Sequence, residues 1–147
     1  MQNLSNLIDE MKVFEANAFC FYLNLHYFHW NVEGQDFYQY HKFFQELYEE
    51  VHDSVDNIAE HIRALGAYAP GTIKRFMDLS ELEETEKVLD IKEMLNALIS
   101  NNDIVMASIK RALKEASTAN ERGVENFLQD RLDKHMKHQW MLKSSNK

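Results

Sequence analysis

The stretch HWNVEGQDFYQYH, residues 29–41, decides the fold of this 147-residue chain. Before it, apolar residues recur at helical spacing from residue 4 to about 31, and after it they recur from 37 to about 65. The segment between the two runs contains Gly34, a natural turn residue, and Asp36, a candidate helix cap or first-turn acid. Because this link is short, the two helices are predicted to be antiparallel neighbours.

A long connection then separates this hairpin from two further helices. Gly66 is placed to end the second helix, and the connection contains the chain's one Pro-Gly pair, at 70–71, and a short predicted helix at 73–77. The third long helix is predicted over about 86–116, with Ser80-x-x-Glu83 and Asp90 as competing start signals, and the fourth over about 124–143. Residues 1–147 are thus predicted to form one all-α domain, a ferritin-like four-helix bundle with a long crossover.

Composition narrows the choice of partners and compartment. The formal net charge of -8 repels phosphate backbones and attracts cations, so metal ions are a better expectation than DNA. The single cysteine, Cys20, cannot form an internal disulfide, which is consistent with a reducing compartment. The chain starts without a signal-peptide pattern and contains no apolar run of the ~18 residues that a membrane span needs. A cytoplasmic protein is therefore expected.

Two histidines flank the break between the first two helices. His29 and His41 lie at equal distances either side of it, so an antiparallel hairpin brings them to about the same height. A histidine on a helix is more often a surface group or a satisfied core group, and the pairing leaves that alternative open. The matched positions nevertheless make the two side chains a candidate metal-binding pair.

Asp56 and Glu60 form a second candidate pair on the second helix. They are four residues apart on one face, where two like charges repel unless a cation lies between them. Asp56 lies fifteen residues beyond His41, roughly 22 Å along the helix axis at ~1.5 Å per residue. A metal ion with bonds of ~2 Å cannot bridge that gap. If both pairs bind one metal, they must come from different subunits.

Such sharing predicts an obligate dimer. A two-fold axis near the middle of the second helix would place each histidine pair against the partner's acidic pair, giving two equivalent sites. Imidazole nitrogen with carboxylate oxygen suits Fe(II), and also Zn(II) or Mn(II), and these residues do not choose among the three metals.

Other polar signals are read as surface features. Glu49-x-x-His52 has the spacing of a di-iron motif, but no second copy exists in the chain, so coincidence is the expectation. His135-x-x-His138 is expected to be exposed at the end of the fourth helix. Arg111 and neighbouring lysines are expected to be ordinary solvent-facing charges.

Several motifs together resemble the Dps (DNA-binding protein from starved cells) family of mini-ferritins over nearly the whole chain. The first motif is His29-Trp30-Asn31-Val32-Glu33-Gly34 with Phe37 and His41, and the second is Asp56-Asn57-Ile58-Ala59-Glu60 with Leu65-Gly66. Pro70-Gly71-Thr72 and Gln139-Trp140-Met141-Leu142 also resemble family positions.

The resemblance implies a hollow shell of twelve subunits, a dodecamer built from dimers. It implies that Fe(II) is oxidised at the dimer interface, usually by hydrogen peroxide and otherwise by O2, and stored inside as ferric mineral, which protects against oxidative stress. On the matching positions, His29 and His41 would be metal ligands from one subunit, and Asp56 and Glu60 from its partner. Trp30 would lie beside the site and absorb oxidising equivalents, and a buried core tryptophan is the alternative.

The chain departs from the family pattern at the position four residues after His41. The family has an acid there, and this chain has Gln45, whose neutral carbonyl predicts weaker binding of a second iron and slower oxidation. Glu49, one turn further on, is a candidate replacement, with a solvated charge as the alternative. His61 replaces the family's usual arginine, and Tyr40 a small aliphatic residue.

DNA binding is the family's other activity, and members that bind DNA often carry a lysine-rich tail. This chain has no such tail, so DNA binding is not expected. The alternative function is a DNA-protecting or structural shell with a weakened or non-iron metal site.

Overall fold

A computed structural model describes residues 3–147, which form five helices and no strand. The helices are α1 (Ser5–Asn31), α2 (Phe37–Ala64), α3 (Ile73–Leu79), α4 (Ile91–Thr118) and α5 (Arg122–Ser145). α1 packs against both α2 and α4, α4 packs against α5, and α3 lies on α1. The predicted all-α fold, a four-helix bundle whose long crossover carries a short helix, is confirmed.

The core is formed by apolar side chains that recur along the inner face of each long helix. On α1 the fully buried Phe14, Phe21 and Leu25 are spaced by seven and then four residues, which keeps them on one side of the helix. Burying a side chain of this size stabilises the fold by ~1.5–3 kcal/mol. This packing makes α1 and α2 a rigid support for polar side chains near their connection.

The link between α1 and α2 turns sharply at Gly34, which has a φ of +113°. Only glycine adopts this conformation without steric cost, so the glycine seen in the sequence is required here. The Asp36 side chain makes no capping hydrogen bond, so its carboxylate does not act as the predicted N-cap. The antiparallel pairing of the two helices is as predicted.

The start of α4 differs from the sequence prediction by five residues. α4 begins at Ile91 because Asp90 and Glu93 form a capping box: Glu93 N–H donates to Asp90 Oδ1 at 2.8 Å, and Asp90 N–H to Glu93 Oε1 at 3.1 Å. Ser80, the competing start signal, instead follows the end of α3 and donates its hydroxyl to Asn17 Oδ1 at 3.2 Å.

A polar network ties the crossover to the bundle. The buried Asn17 donates from Nδ2 to Glu81 Oε1 at 2.9 Å and accepts the Glu81 backbone N–H at 2.7 Å. Arg111 of α4 donates to Glu81 at 2.7 Å and to Glu10 of α1 at 3.0 Å. The prediction that Arg111 is an ordinary solvent-facing charge is therefore wrong, because this side chain joins α1, the crossover and α4.

In the part of the chain that the structure describes, no helix has both the length and the hydrophobicity needed to cross a bilayer.

Candidate metal centre

The structure brings His29 and His41 into direct contact across the α1–α2 hairpin. Their rings stack with centroids 3.8 Å apart and planes 14° from parallel. Phe37 covers the other face of His41, with ring centroids 4.8 Å apart. His29 is buried and His41 is half-buried. The predicted pairing of the two histidines is therefore present in one chain.

Reciprocal hydrogen bonds orient the two imidazoles. Nδ1 of His29 lies 2.6 Å from the backbone oxygen of His41, and Nδ1 of His41 lies 2.7 Å from the backbone oxygen of His29. A carbonyl oxygen can only accept, so each Nδ1 carries the proton and donates it. In the neutral rings, both Nε2 atoms then hold a free lone pair. Fixing Nδ1–H in this way is how proteins hold histidines for metal binding through Nε2.

Aromatic rings enclose the α1 side of the histidine pair. The His26 ring lies between Trp30, at 3.9 Å between centroids, and Tyr48 of α2, at 4.0 Å. The Tyr22 hydroxyl hydrogen-bonds to His26 Nδ1 at 2.9 Å. Burial, with the nearby His29 and His52, lowers the pKa of His26.

Trp30 itself is 59% exposed, so the alternative of a core tryptophan is wrong for a single chain. Trp30 follows His29 in the chain, and its ring stacks on His26. The sequence motif identified Trp30 but gave no sign that His26 would stack on it, or that Tyr48 would stack on His26.

The acidic pair lies on α2, away from the histidines. Asp56 and Glu60 are both exposed on one face of the helix, as their spacing predicted. Residues 3–147 contain no group of three or more histidine, cysteine, aspartate or glutamate side chains that could hold a metal ion. Within one chain the histidine pair and the acidic pair are therefore separate groups.

Gln45 lies one turn beyond His41 and is bonded within its own helix. Its Nε2 donates to Glu49 Oε1 at 2.9 Å, and its carbonyl oxygen accepts no hydrogen bond from residues 3–147. The bond uses one oxygen of the Glu49 carboxylate, so Glu49 positions the Gln45 amide in this chain.

The second histidine pair, on α5, has a structural role. His135 and His138 are buried, contrary to the predicted exposure. His135 Nδ1 lies 2.8 Å from Asn102 Oδ1, and His138 Nε2 lies 2.8 Å from Glu50 Oε1, which also accepts from Arg131 Nη2 at 3.0 Å. Desolvation by burial and the charge of Arg131 hold the pKa of His135 well below its usual range. Their ring nitrogens are occupied or enclosed in the core, which excludes them as surface ligands.

Comparison with known proteins defines the class. The family model of the ferritin-like domain matches residues 16–145. The chain therefore belongs to the ferritin-like domain family, a class of helical bundles with the crossover seen here.

Relatives within that class are Dps proteins. The chain is 29% identical over 135 residues to a DNA protection during starvation protein of Helicobacter pylori, covering 91% of this chain and 94% of the relative. It is 28% identical over 123 residues to DNA protection during starvation protein 2 of Bacillus anthracis, with 84% of each chain covered. The solved structure of Dps from Staphylococcus aureus matches with a TM-score of 0.94 and 29% identity, covering 100% of this chain and 99% of that one. The resemblance to the Dps mini-ferritins is confirmed.

Proposed function

We propose that this chain is an iron-oxidising and iron-storing mini-ferritin that protects its cell against oxidative stress. Fe(II) is the substrate, hydrogen peroxide is the oxidant, with O2 as the alternative, and ferric mineral is the stored product. His29 and His41 of one subunit bind the iron together with Asp56 of the partner subunit and Glu60 of the partner subunit. Zn(II) or Mn(II) would fit the same nitrogen and oxygen ligands.

The reciprocal hydrogen bonds between His29 and His41 are the observation that carries this proposal. The two Nδ1 atoms lie 2.6 and 2.7 Å from backbone carbonyl oxygens of the facing helix, so neither Nδ1 is available to a metal. Both Nε2 atoms remain available. A histidine pair that served only packing would not need matched tautomers. The arrangement favours a cation at the open end of the hairpin.

The carboxylates would add negative charge and oxygen ligands to the two histidine nitrogens. Two neutral imidazoles leave the charge of a divalent ion unbalanced, whereas Asp56 and Glu60 contribute two negative charges and hard oxygen ligands. Each Fe(II) gives up one electron, so one hydrogen peroxide molecule oxidises two Fe(II) ions. Trp30, exposed and stacked on His26, is placed to take up oxidising equivalents that escape.

Shared sites require assembly. We propose a dimer with two equivalent sites about a two-fold axis near the middle of α2, and a dodecamer built from such dimers in the cytoplasm. The exposure of Asp56 and Glu60 in one chain supports this, because interface ligands must be accessible before the partner binds. DNA binding is not expected with a net charge of -8.

The test is peroxide-dependent Fe(II) oxidation by the metal-free protein, measured beside His41→Ala and a matched control, His61→Ala. His61 lies on the same helix, but its ring stacks on Phe127 of α5 at 4.1 Å between centroids. The parent and the His61 variant should oxidise Fe(II) well above the protein-free rate. The oxidation rate of the His41 variant should fall at least tenfold, because losing even a hydrogen-bond partner of a metal ligand costs about 10–100-fold in activity.

Equal rates for the parent and protein-free buffer would contradict the oxidation proposal. Retention on DNA that weakens with added salt would then support the alternative, a DNA-protecting shell whose metal site is weakened at Gln45.

A further inference from the structure

One stripe of α2 carries more polar side chains than the proposed iron site uses. At ~100° per residue, His41, Gln45, His52 and Asp56 leave the helix within about 60° of one another. His52 is therefore on the face that presents the proposed ligands. It is the member of the stripe to which neither the sequence motifs nor the proposed function assigns a role.

The His52 ring packs on a neighbouring helix, but its nitrogens accept and donate no hydrogen bond among the described residues. Tyr22 of α1 packs against its ring at 4.6 Å between centroids, and the side chain is 58% exposed. The Asp53 carboxylate lies 3.8 Å from Nδ1, which is too long for a hydrogen bond, and no described residue hydrogen-bonds to the His52 ring. A supported, exposed imidazole without a hydrogen-bond partner is available as a ligand.

The spacing of residues on α2 determines which residue of the partner subunit would face His52 in the proposed dimer. Gln45 follows His41 by four residues, and His52 precedes Asp56 by four residues. In an antiparallel pairing that sets His41 against the partner's Asp56, the same register sets Gln45 against the partner's His52. This step rests on the shared site of the proposed function.

His52 and Asp56 also form a chelating pair within one helix. They are separated by one turn, about 6 Å along the axis, a spacing at which two side chains can reach one cation. Paired ligands at this spacing are the arrangement by which helical zinc sites hold their metal. Gln45 adds a neutral oxygen, because its amide nitrogen is committed to Glu49.

We infer that the partner's His52 and the partner's Asp56, with the Gln45 carbonyl oxygen, form a second divalent-cation position beside the proposed iron site. The His52 imidazole then serves as the ligand in place of the carboxylate that the family has at position 45. The position has one nitrogen ligand, so it favours Fe(II) or Zn(II) over Mg(II) or Ca(II).

Zn(II) titration of the intact, metal-free assembly tests this inference, with binding followed by calorimetry and oligomeric state by light scattering. The variants are His52→Gln, His41→Ala and the control His61→Ala. The parent and the control should bind two Zn(II) per chain. The His52 variant should bind one Zn(II) per chain and keep the oligomeric state of the parent, because the site that contains His41 is intact.

The double variant Gln45→Glu/His52→Gln tests the juxtaposition directly. A carboxylate at 45 should restore the second Zn(II) if residue 45 lies opposite residue 52. Unchanged stoichiometry in the His52 variant, or loss without rescue by Gln45→Glu, overturns the inference. In either case the proposed function stands if His41→Ala still removes the first Zn(II), whereas a parent that binds no Zn(II) contradicts both.

Discussion

Individual side chains on opposite sides of α2 serve different purposes. His41 stacks on His29 of α1 and Asp56 is exposed, whereas Glu50 faces α5 and accepts hydrogen bonds from Arg131 and His138. Burial alone would raise the pKa of Glu50, but the hydrogen bonds from His138 and Arg131 outweigh it and hold that pKa well below its usual range. Glu50 is therefore ionised wherever the protein is folded near neutral pH.

Replacing Glu50 with glutamine should destabilise the fold, because it leaves the buried Arg131 charge without its counter-ion. The expected loss in the free energy of unfolding at pH 7 is about 3 kcal/mol, the cost of removing one partner of a buried pair. Urea unfolding measures it, with Glu46→Gln as the control, since Glu46 is exposed on the same helix. Equal midpoints for the two variants would show that the pair adds nothing.

The same pair gives a pH dependence with a fixed sign. The folded-state pKa of Glu50 is depressed, so its stabilisation is present above the unfolded-state value near 4.5 and is lost as pH falls below it. The parent should therefore lose stability on acidification more steeply than Glu50→Gln.

The prediction that His135 and His138 are exposed is wrong because their burial depends on distant residues. The burial of His135 and His138 depends on Glu50 and Asn102, which are distant in the chain and meet these histidines only in the folded bundle. No local pattern reports such contacts. The pair His29 and His41 could be predicted because a short hairpin relates their positions by simple geometry.

At the scale of elements, the long crossover is the part of the fold that apolar spacing does not specify. Phe19 of α1 stacks on the buried Phe76 of α3 at 4.6 Å between centroids, and Asn17 binds the segment that follows α3. Helical spacing placed the four long helices correctly, but the start of α4 depended on which of two capping signals forms. Asp90 acts as the cap because Ser80 is engaged by Asn17.

Asn17→Ala should loosen the crossover without unfolding the bundle. The Glu81 backbone N–H and carboxylate lose a buried partner, for an expected cost of about 2 kcal/mol. Amide hydrogen exchange should become faster across residues 80–90 and remain slow in α1. Asn24→Ala is the matched control, since Asn24 is half-buried on the same helix and makes no side-chain hydrogen bond among the described residues. Equal amide exchange rates across residues 80–90 in the two variants would contradict a role for Asn17 in holding the crossover.

At the scale of the whole molecule, we propose that the ligands of each metal site are divided between two subunits. One chain presents two oriented imidazoles at the hairpin and two carboxylates farther along α2, and within residues 3–147 no three such groups converge. The comparison shows that the chain belongs to the ferritin-like family, whereas the shared site is our proposal from the separation of the two pairs along α2. It follows that two different defective subunits should complement each other.

The most direct measurement uses one variant that lacks His29 and His41 and another that lacks Asp56 and Glu60, co-expressed at equal levels. Each variant alone should be inactive in peroxide-dependent Fe(II) oxidation. With random pairing, half the dimers are mixed and each mixed dimer regains one intact site of two, so about a quarter of the parent activity should return. Activity no higher than that of the separate variants would contradict a site shared between subunits.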